Sequence, residues 1–445
     1  MADEYDDADV PPGLRRPSRA MRRLYNILLL PVRGAVVAWG TLQLASARRE
    51  EWSERLARRL PRAIDGGVWI HGASVGEARI TGEIARALRR SRPGLSLAVS
   101  AYTATGRGEL PRPPEVDCAF FAPLDFPGFP ARVLRALRPA LLVLVETEIW
   151  PNLLHEADRT GVRVALINGR LSAHRMATYR RLSGIYRPLL SSLCAVGAQS
   201  ESDASRFREL GVEADALRIT GNVKYDIPTP PVDAALLRRT FGLPGAPPVF
   251  VASSTAQGED RAVLEAFALA RSERQDLLLV LAPRHPERCA AVEGLARAAG
   301  FRVRKLSDSH PAAGYDVLLV DSIGPLRQLY GVAAAAFVGG SLVPVGGHNV
   351  MEPVAAGVPV LYGPHTDSVA ETASELERRG GALRVRDARE LGRAVCGLLA
   401  EPARAGLLVE RGRGVLAANR GALGRSVELL LSQLDRPSAA RAHAP

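Results

Sequence analysis

A chain of 445 residues is too long for one ordinary hydrophobic core, so length calls for two domains or more. Its 47% hydrophobic and 24% charged residues are those of a folded globular protein and exclude a low-complexity chain. The formal net charge of +11 suits an acidic partner: an anionic membrane face, a phosphorylated substrate or nucleic acid. Nucleic acid is the weakest of these, because aromatics make up only 5% and do not alternate with clustered Lys and Arg. Four scattered cysteines (Cys118, Cys194, Cys289, Cys396) lack any CxxC or Cys/His spacing. They read as small buried apolar residues in a reducing compartment, not as a metal site or a disulfide framework.

Residues 1–23 are acidic and proline-bearing, then basic with Arg15, Arg16, Arg19, Arg22 and Arg23, and are expected to be disordered. Residues 24–47 form an apolar segment with three readings. A secretory signal fits the basic start and the Ala45-Ser46-Ala47 ending, but Pro31 and Arg33 interrupt it. A spanning helix needs roughly 20 apolar residues, and an arginine near the bilayer centre costs about 2.5–3.5 kcal/mol. An interfacial anchor avoids that cost by laying the arginines on anionic headgroups while Leu28, Leu29, Leu30 and Trp39 dip inward. The sequence favours attachment and leaves open whether the segment crosses.

From residue 48 to 226 short apolar runs alternate with helix-like stretches. The runs are Val68–Ile70, Leu97–Val99, Cys118–Phe121, Leu141–Val145, Val164–Ile167 and Ala195–Ala198, with helices such as Glu83–Arg90 and Phe129–Leu137 between them. Near-continuous apolar strands separated by helices predict a mostly parallel sheet covered on both faces. Residues 227–248 are rich in proline and read as an interdomain linker. A second alternation fills 249–434, with runs at Val249–Ala252, Leu277–Ala282, Val317–Val320, Ala335–Val338 and Val358–Leu361; residues 435–445 are a disordered tail. Two such halves predict an α/β protein of two Rossmann-like domains facing across a cleft, with an N-terminal membrane-anchoring helix.

The stretch Val68–Arg79, VWIHGASVGEAR, is a strand–turn–helix, where open α/β sheets place their ligands. Glu77 has two readings there. Ser74-x-x-Glu77 matches a capping box, and the same carboxylate stands at the sheet's carboxyl edge where chemistry occurs. Glu146-Thr147-Glu148-Ile149-Trp150-Pro151 ends another buried strand; its carboxylates are either paired and used, or Glu148 is solvated and the segment caps the next helix. Arg170 and Ser172 follow a third strand, and Lys224 in Gly221–Asp226 points to the cleft if the sheet runs as read, an exposed lysine being the alternative.

In the second half, Ser253-Ser254-Thr255 with Gly258-Glu259 forms a small-residue loop suited to phosphate or sugar hydroxyls. Pro283-Arg284-His285 follows a strand, so Arg284 could clamp a phosphate, while His285 orients its loop. Gly339-Gly340-Ser341 and Gly346-Gly347-His348-Asn349-Val350-Met351-Glu352 combine glycines for close backbone approach with a helix start. Asn349-x-x-Glu352 is again a capping-box spacing, and its functional alternative is a glutamate accepting from ribose hydroxyls.

In order along the chain, HGASVGEA, ETEIWPN, NGRLS, AQSESDASRF, GNVKYD, PRHPER and GGHNVMEP resemble the Kdo (3-deoxy-D-manno-oct-2-ulosonic acid) transferase family over roughly Tyr25 to Leu434. The resemblance implies a GT-B fold whose first half binds acceptor and whose second half binds CMP-Kdo. It implies inverting, metal-independent transfer of Kdo to the 6′-hydroxyl of a lipid A precursor (lipid IVA), at the cytoplasmic face of the inner membrane, as part of lipopolysaccharide biosynthesis. CMP-Kdo is then a co-substrate, no cofactor or metal is expected, and nucleic acid is no partner. By motif matching, Glu77 is the general base, and Glu148 and Lys224 stabilise the transition state. Pro283, Arg284, Gly324, Pro325, Leu326, Asn349, Val350, Met351 and Glu352 contact CMP. One departure stands out: relatives carry Gly-Glu where this chain has Gly324-Pro325, so only a backbone contact survives there. No DxD pair lies near the donor loops, which agrees with charge neutralisation by the protein itself. Two other readings are a GT-B enzyme using a UDP-sugar and a membrane-docked protein that has kept the fold without turnover.

Overall fold

The computed structural model describes residues 25–27, 29–171, 173–226, 233–245, 247–308, 314–322 and 324–436. The expectations for residues 1–23, for Leu28, for Ser172, for the first part of the linker and for the tail beyond 436 lie outside the described residues. The chain forms two compact units, residues 1–227 with 420–445, and residues 228–419.

The first unit is built on seven parallel strands: β1 (Val68–His71), β2 (Leu97–Ala101), β3 (Cys118–Phe121), β4 (Leu141–Val145), β5 (Arg163–Gly169), β6 (Ala195–Ala198) and β7 (Leu217–Ile219). Their order is β3-β2-β1-β4-β5-β6-β7. Side chains alternate across the sheet, as strand geometry requires. Along β4, Leu141, Val143 and Val145 enter one apolar layer with Ile70 and Ile84, while Leu142 and Leu144 enter the other with Trp69 and Phe207. Both faces are thus buried, which is why these strands read as unbroken apolar runs. The helix Val75–Ser91 packs through Ile80, Ile84 and Leu88, spaced four apart on one face.

The second unit repeats the plan with β8 (Val249–Thr255), β9 (Leu278–Pro283), β10 (Val303–Lys305), β11 (Val317–Leu319), β12 (Ala335–Val338), β13 (Val360–Tyr362) and β14 (Leu383–Arg384). The order is β10-β11-β9-β8-β12-β13-β14, again all parallel.

Two boundaries differ from the sequence reading. The proline-rich stretch is not linker throughout: Asp233 caps a helix over Ala234–Thr240, and Phe241 and Leu243 are buried in the second unit's core. Arg304 and Tyr315 also bind the Gly242 carbonyl, at 2.9 and 2.8 Å. The second domain does not run to 434. The final helix, Ala422–Asp435, packs Ala422, Val427 and Leu430 into the first unit beside Val68 and Ile70. Asp226 caps it, accepting from the Gly421 and Leu423 N–H groups at 2.8 and 2.6 Å.

Among the described residues no helix is long and apolar enough to cross a membrane. The expected anchor is the 14-residue helix Leu30–Gln43, with Pro31 in its first turn. Val36 and Val37 pack against Trp52, Leu56, Leu124 and Phe126, and Gly40 lies so close to Trp52 that an added Cβ would stand 2.3 Å from its ring. Leu30, Val32, Trp39 and Leu42 remain exposed. The four cysteines are unbridged, and only Cys289 is buried.

Candidate active site

In the first sheet the chain runs from β1 outward to β2 and β3, then returns so that β4 lies on the other side of β1. This reversal is where an open parallel sheet parts its crossover helices and leaves room for a ligand at the carboxyl ends of the strands. The segments leaving β1 and β4 there are Gly72–Glu77 and Glu146–Trp150.

Glu77 is held by the local backbone. Its Oε2 accepts from Ala73 N at 2.6 Å and Ser74 N at 3.0 Å, and the Ser74 hydroxyl accepts from Glu77 N, completing the capping box. Gly72 permits the close turn, since a Cβ there would meet Glu77 at 2.9 Å. The cap does not use up the carboxylate, because both backbone bonds go to one oxygen. Burial pushes its pKa above the ordinary glutamate value and the charge of Glu146 adds to this; the two N–H donors and Lys224 oppose it.

Lys224 brings a cation to these loops. Its Nζ lies 2.6 Å from Glu146 Oε1. An added Cβ on Gly76 would stand 4.0 Å from that Nζ, which puts the ammonium beside the first turn that carries Glu77. Glu146 itself takes a left-handed backbone (φ +64°), a conformation costing a non-glycine residue about 1–3 kcal/mol. The sequence reading named Glu146 with Glu148 but gave it no role; the structure makes it the partner of Lys224. Asn168 was missed altogether. Fully buried, it donates towards Glu146 Oε1 at 3.4 Å and accepts from Val223 N at 2.9 Å. Gln199 and Asn222 extend this network to the Lys224 backbone. The only signal for these amides was their place inside NGRLS, AQSESDASRF and GNVKYD, where a buried Asn or Gln demands partners.

Glu148 lies two residues further along the same loop. The Trp150 indole donates to its Oε2 at 2.7 Å, and His71 Nε2 stands 3.9 Å from that oxygen. Burial drives the pKa of His71 down to about 4, so the ring is neutral at physiological pH. Its Nδ1 lies 2.9 Å from the Ser100 hydroxyl, which also accepts from the Trp69 indole.

In the second unit Pro283 ends β9, while Gly324–Leu326 and Asn349–Glu352 follow the carboxyl ends of the parallel strands β11 and β12, so all gather at one edge of the sheet. Arg284 is exposed, with its backbone N–H bound to the Thr255 carbonyl at 3.0 Å. His348 stands near it: burial, then the charges of Arg284 and His285, lower its pKa to about 4. Pro325 has no N–H, and its carbonyl already accepts from Gln328 and Leu329. The Asn349–Glu352 spacing is not a capping box, since the helix starts at Met351 and has no side-chain cap at its own N-cap position. Instead Asn349 accepts from Met351 N at 3.1 Å and donates to Glu352 at 3.3 Å. Val350 and Met351 are buried, whereas Glu352 is exposed.

The loops expected to cradle phosphate from β8 and Gly339-Gly340-Ser341 do something else. Glu259 is fully buried, and its two oxygens accept from Ala256, Gly340, Ser341 and Leu342 N–H groups at 2.6–2.8 Å. An internal carboxylate thus occupies the backbone donors that a phosphate would need. Among the described residues no three His, Cys, Asp or Glu side chains gather as metal ligands would.

The fold is shared with a glycosyltransferase from Rickettsia africae (TM-score 0.59, 14% identity, 84% of this chain and 100% of that one). A UDP-GlcNAc 2-epimerase from Neisseria meningitidis has it too (TM-score 0.57, 13% identity, 83% of this chain and 99% of that one). At such identities the likeness establishes the architecture alone, two parallel-sheet α/β units of the GT-B kind. Sequence goes further. Residues 50–227 match the family model "3-Deoxy-D-manno-octulosonic-acid transferase (kdotransferase)". The 3-deoxy-D-manno-octulosonic acid transferase of Haemophilus influenzae is 34% identical over 93% of this chain and 99% of its own length. The Bordetella pertussis enzyme of the same name is 35% identical over 84% and 89%. With that likeness running almost end to end, and with Glu77, Glu148 and Lys224 gathered by the reversal point of the first sheet, the chain belongs to the 3-deoxy-D-manno-octulosonic acid transferase family.

Proposed function

We propose that this protein is an inverting transferase moving Kdo from CMP-Kdo to the 6′-hydroxyl of a lipid A precursor such as lipid IVA. The observation that carries the reading is Glu77: a carboxylate with a raised pKa, one oxygen held by the backbone, beside the Glu146–Lys224 pair. A base whose proton affinity lies above that of an ordinary carboxylate takes a hydroxyl proton more readily. In the reaction Glu77 accepts that proton, the acceptor oxygen bonds to the anomeric carbon of Kdo, and the bond from that carbon to the CMP phosphate breaks. The leaving phosphate keeps the electron pair. Lys224 and Glu148 stabilise charge at the reacting centre, and Arg284 neutralises the departing phosphate. Asn349 and Glu352 offer polar side chains to the nucleotide; Val350 and Met351, buried as they are, offer backbone only. Of the glycine segment, Gly324 and Leu326 remain as backbone contacts. In this reading the first unit takes the acceptor, the second takes the donor, and neither a metal nor a cofactor takes part.

The exposed apolar residues of helix Leu30–Gln43 support docking on the cytoplasmic face of the inner membrane, where such an acceptor resides. Flotation with anionic vesicles tests this, and loss of flotation on Trp39→Ser with Leu42→Ser is the expected result.

Transfer of labelled Kdo from CMP-Kdo to lipid IVA, followed by mass spectrometry of the lipid, tests the reaction. Product with the native chain and a rate loss of about 10²–10⁴-fold with Glu77→Gln are expected. A fully active Glu77→Gln protein would return Glu77 to capping alone. CMP raising the melting temperature where UDP does not separates this reading from a UDP-sugar enzyme, and absence of any product would favour a protein without turnover.

A further inference from the structure

We propose that Trp150 is a positioning residue for Glu148, and that the stacked side chains of Tyr102 and Arg55 hold it in place. This rests on the reading in which Glu148 stabilises the transition state. Glu148 sits two residues after Glu146, between β4 and the helix Pro151–Arg159, and an unrestrained glutamate samples several rotamers. The Trp150 indole removes that freedom by donating to Oε2 at 2.7 Å. An indole N–H is a donor only, so this bond holds a carboxylate and cannot turn round to accept from one.

The indole is itself fixed from behind. It stacks on Tyr102 with ring centroids 5.3 Å apart and an interplanar angle of 29°. The guanidinium of Arg55, buried, lies 4.8 Å from the Tyr102 centroid and 4.9 Å from that of Phe121. Arg55 is tied down by Glu51 at 2.9 Å and by the Tyr102 carbonyl. On its other side Trp150 leads into helix Pro151–Arg159, whose Asn152 and Leu153 N–H groups are capped by Asp125 at 3.0 and 2.8 Å. A rigid donor, stacked on one side and anchored along the chain on the other, can hold a loop carboxylate in one place. Such a placement matters to rate, because misplacing a catalytic group by about 1 Å costs on the order of 10²-fold.

Trp150→Phe tests this by keeping an aromatic ring against Tyr102 while deleting the N–H. The expected result is a fall in kcat of about 10- to 100-fold, with the KM for CMP-Kdo and the melting temperature almost unchanged. A merely structural tryptophan would instead lower the melting temperature and leave kcat alone. In the Glu148→Gln background the same substitution should have almost no further effect, because the two side chains act as one unit. If Trp150→Phe keeps the native kcat while Glu148→Gln loses it, positioning by Trp150 is overturned and the role of Glu148 stands. Multiplying losses in the double variant would also overturn it, showing that Trp150 acts independently. If Glu148→Gln is fully active, the reading of Glu148 fails and the proposal falls with it. Should the smaller ring unfold the protein, benzothienylalanine at position 150, with sulfur in place of N–H, makes the same comparison at native shape.

Discussion

Glu77 and Glu259 occupy matching places in the two units, each in the first turn of the helix that follows the unit's first described strand, and they do opposite things. Glu77 takes two bonds on one oxygen, both from its own turn, and is only partly buried. Glu259 spends both oxygens on four N–H groups, three of them from the loop after the neighbouring strand β12, and is fully buried. The reason lies in that neighbouring loop. After β12 come Gly339 and Gly340, whose bare backbone can turn its N–H groups inward; a Cβ on Gly339 would stand 2.8 Å from Glu259. After β4 comes Glu146, a second carboxylate, which pairs with Lys224 and adds charge near Glu77 in place of donors. One position therefore holds the carboxylate we propose as the base in one unit and an internal brace in the other.

The same substitution breaks the two carboxylates differently. Glu77→Gln can keep both backbone bonds by presenting its amide oxygen to them, so its melting temperature should stay close to native while transfer falls about 10²–10⁴-fold. Glu259→Gln must turn an amide NH2 towards N–H donors that had an oxygen, and should lose on the order of 2–4 kcal/mol of stability in denaturant titration. If both variants behaved alike in stability and rate, the distinction would be wrong.

Charge around Glu77 gives a smaller effect with a definite sign. Glu146 raises the Glu77 pKa and Lys224 lowers it. A general base works only when deprotonated, so Glu146→Gln should move the acid limb of the pH–rate profile to lower pH. Lys224→Met should move it to higher pH, besides lowering the rate by removing a cation from the site.

The smallest effect concerns stability against pH. Burial pushes the Asp125 pKa up to about 7, so the folded state binds its proton more tightly and stability from this group is lost as pH rises from about 4 to about 7. His71, pushed down to about 4, acts in the opposite sense: the unfolded chain binds the extra proton, and stability grows as pH rises from about 4 to 6.5. The two offset each other in the native protein. Asp125→Asn should unmask the histidine, so its melting temperature should climb more steeply over that interval than the native one.

Most of the fold was legible because a strand buried on both faces must be apolar at every position, and runs such as Leu141–Val145 have few other uses. The strands that went unnoticed were β7, β10 and β14, with sequences LRI, VRK and LR. All three lie at sheet edges, where one side of the backbone meets no further strand and arginine or lysine is tolerated. The site was legible in part for a similar reason. Glu77 stands directly after the apolar run of β1, where position along the chain already implies position on the sheet; Lys224 follows the edge strand β7, and only the GNVKYD motif points to it. The bracing role of Glu259 is not legible, because a small-residue loop and a glycine pair look the same whether their N–H groups await a phosphate or already hold a carboxylate.

The central strands of both sheets, the loops at their ends that carry Glu77 and Glu148, and membership of a transferase family could all be read from the order of residues alone. Periodicity and local turn chemistry are properties of neighbouring residues, so they survive in one dimension. Which carboxylate pairs with Lys224, which one fills the second unit's backbone donors, and the return of the last helix to the first unit became visible only in the folded chain. Those outcomes depend on hydrogen bonds between segments far apart in the chain, such as Glu259 with Gly340 and Asp226 with Gly421, and a buried polar group finds its partner only once the fold has brought the two together.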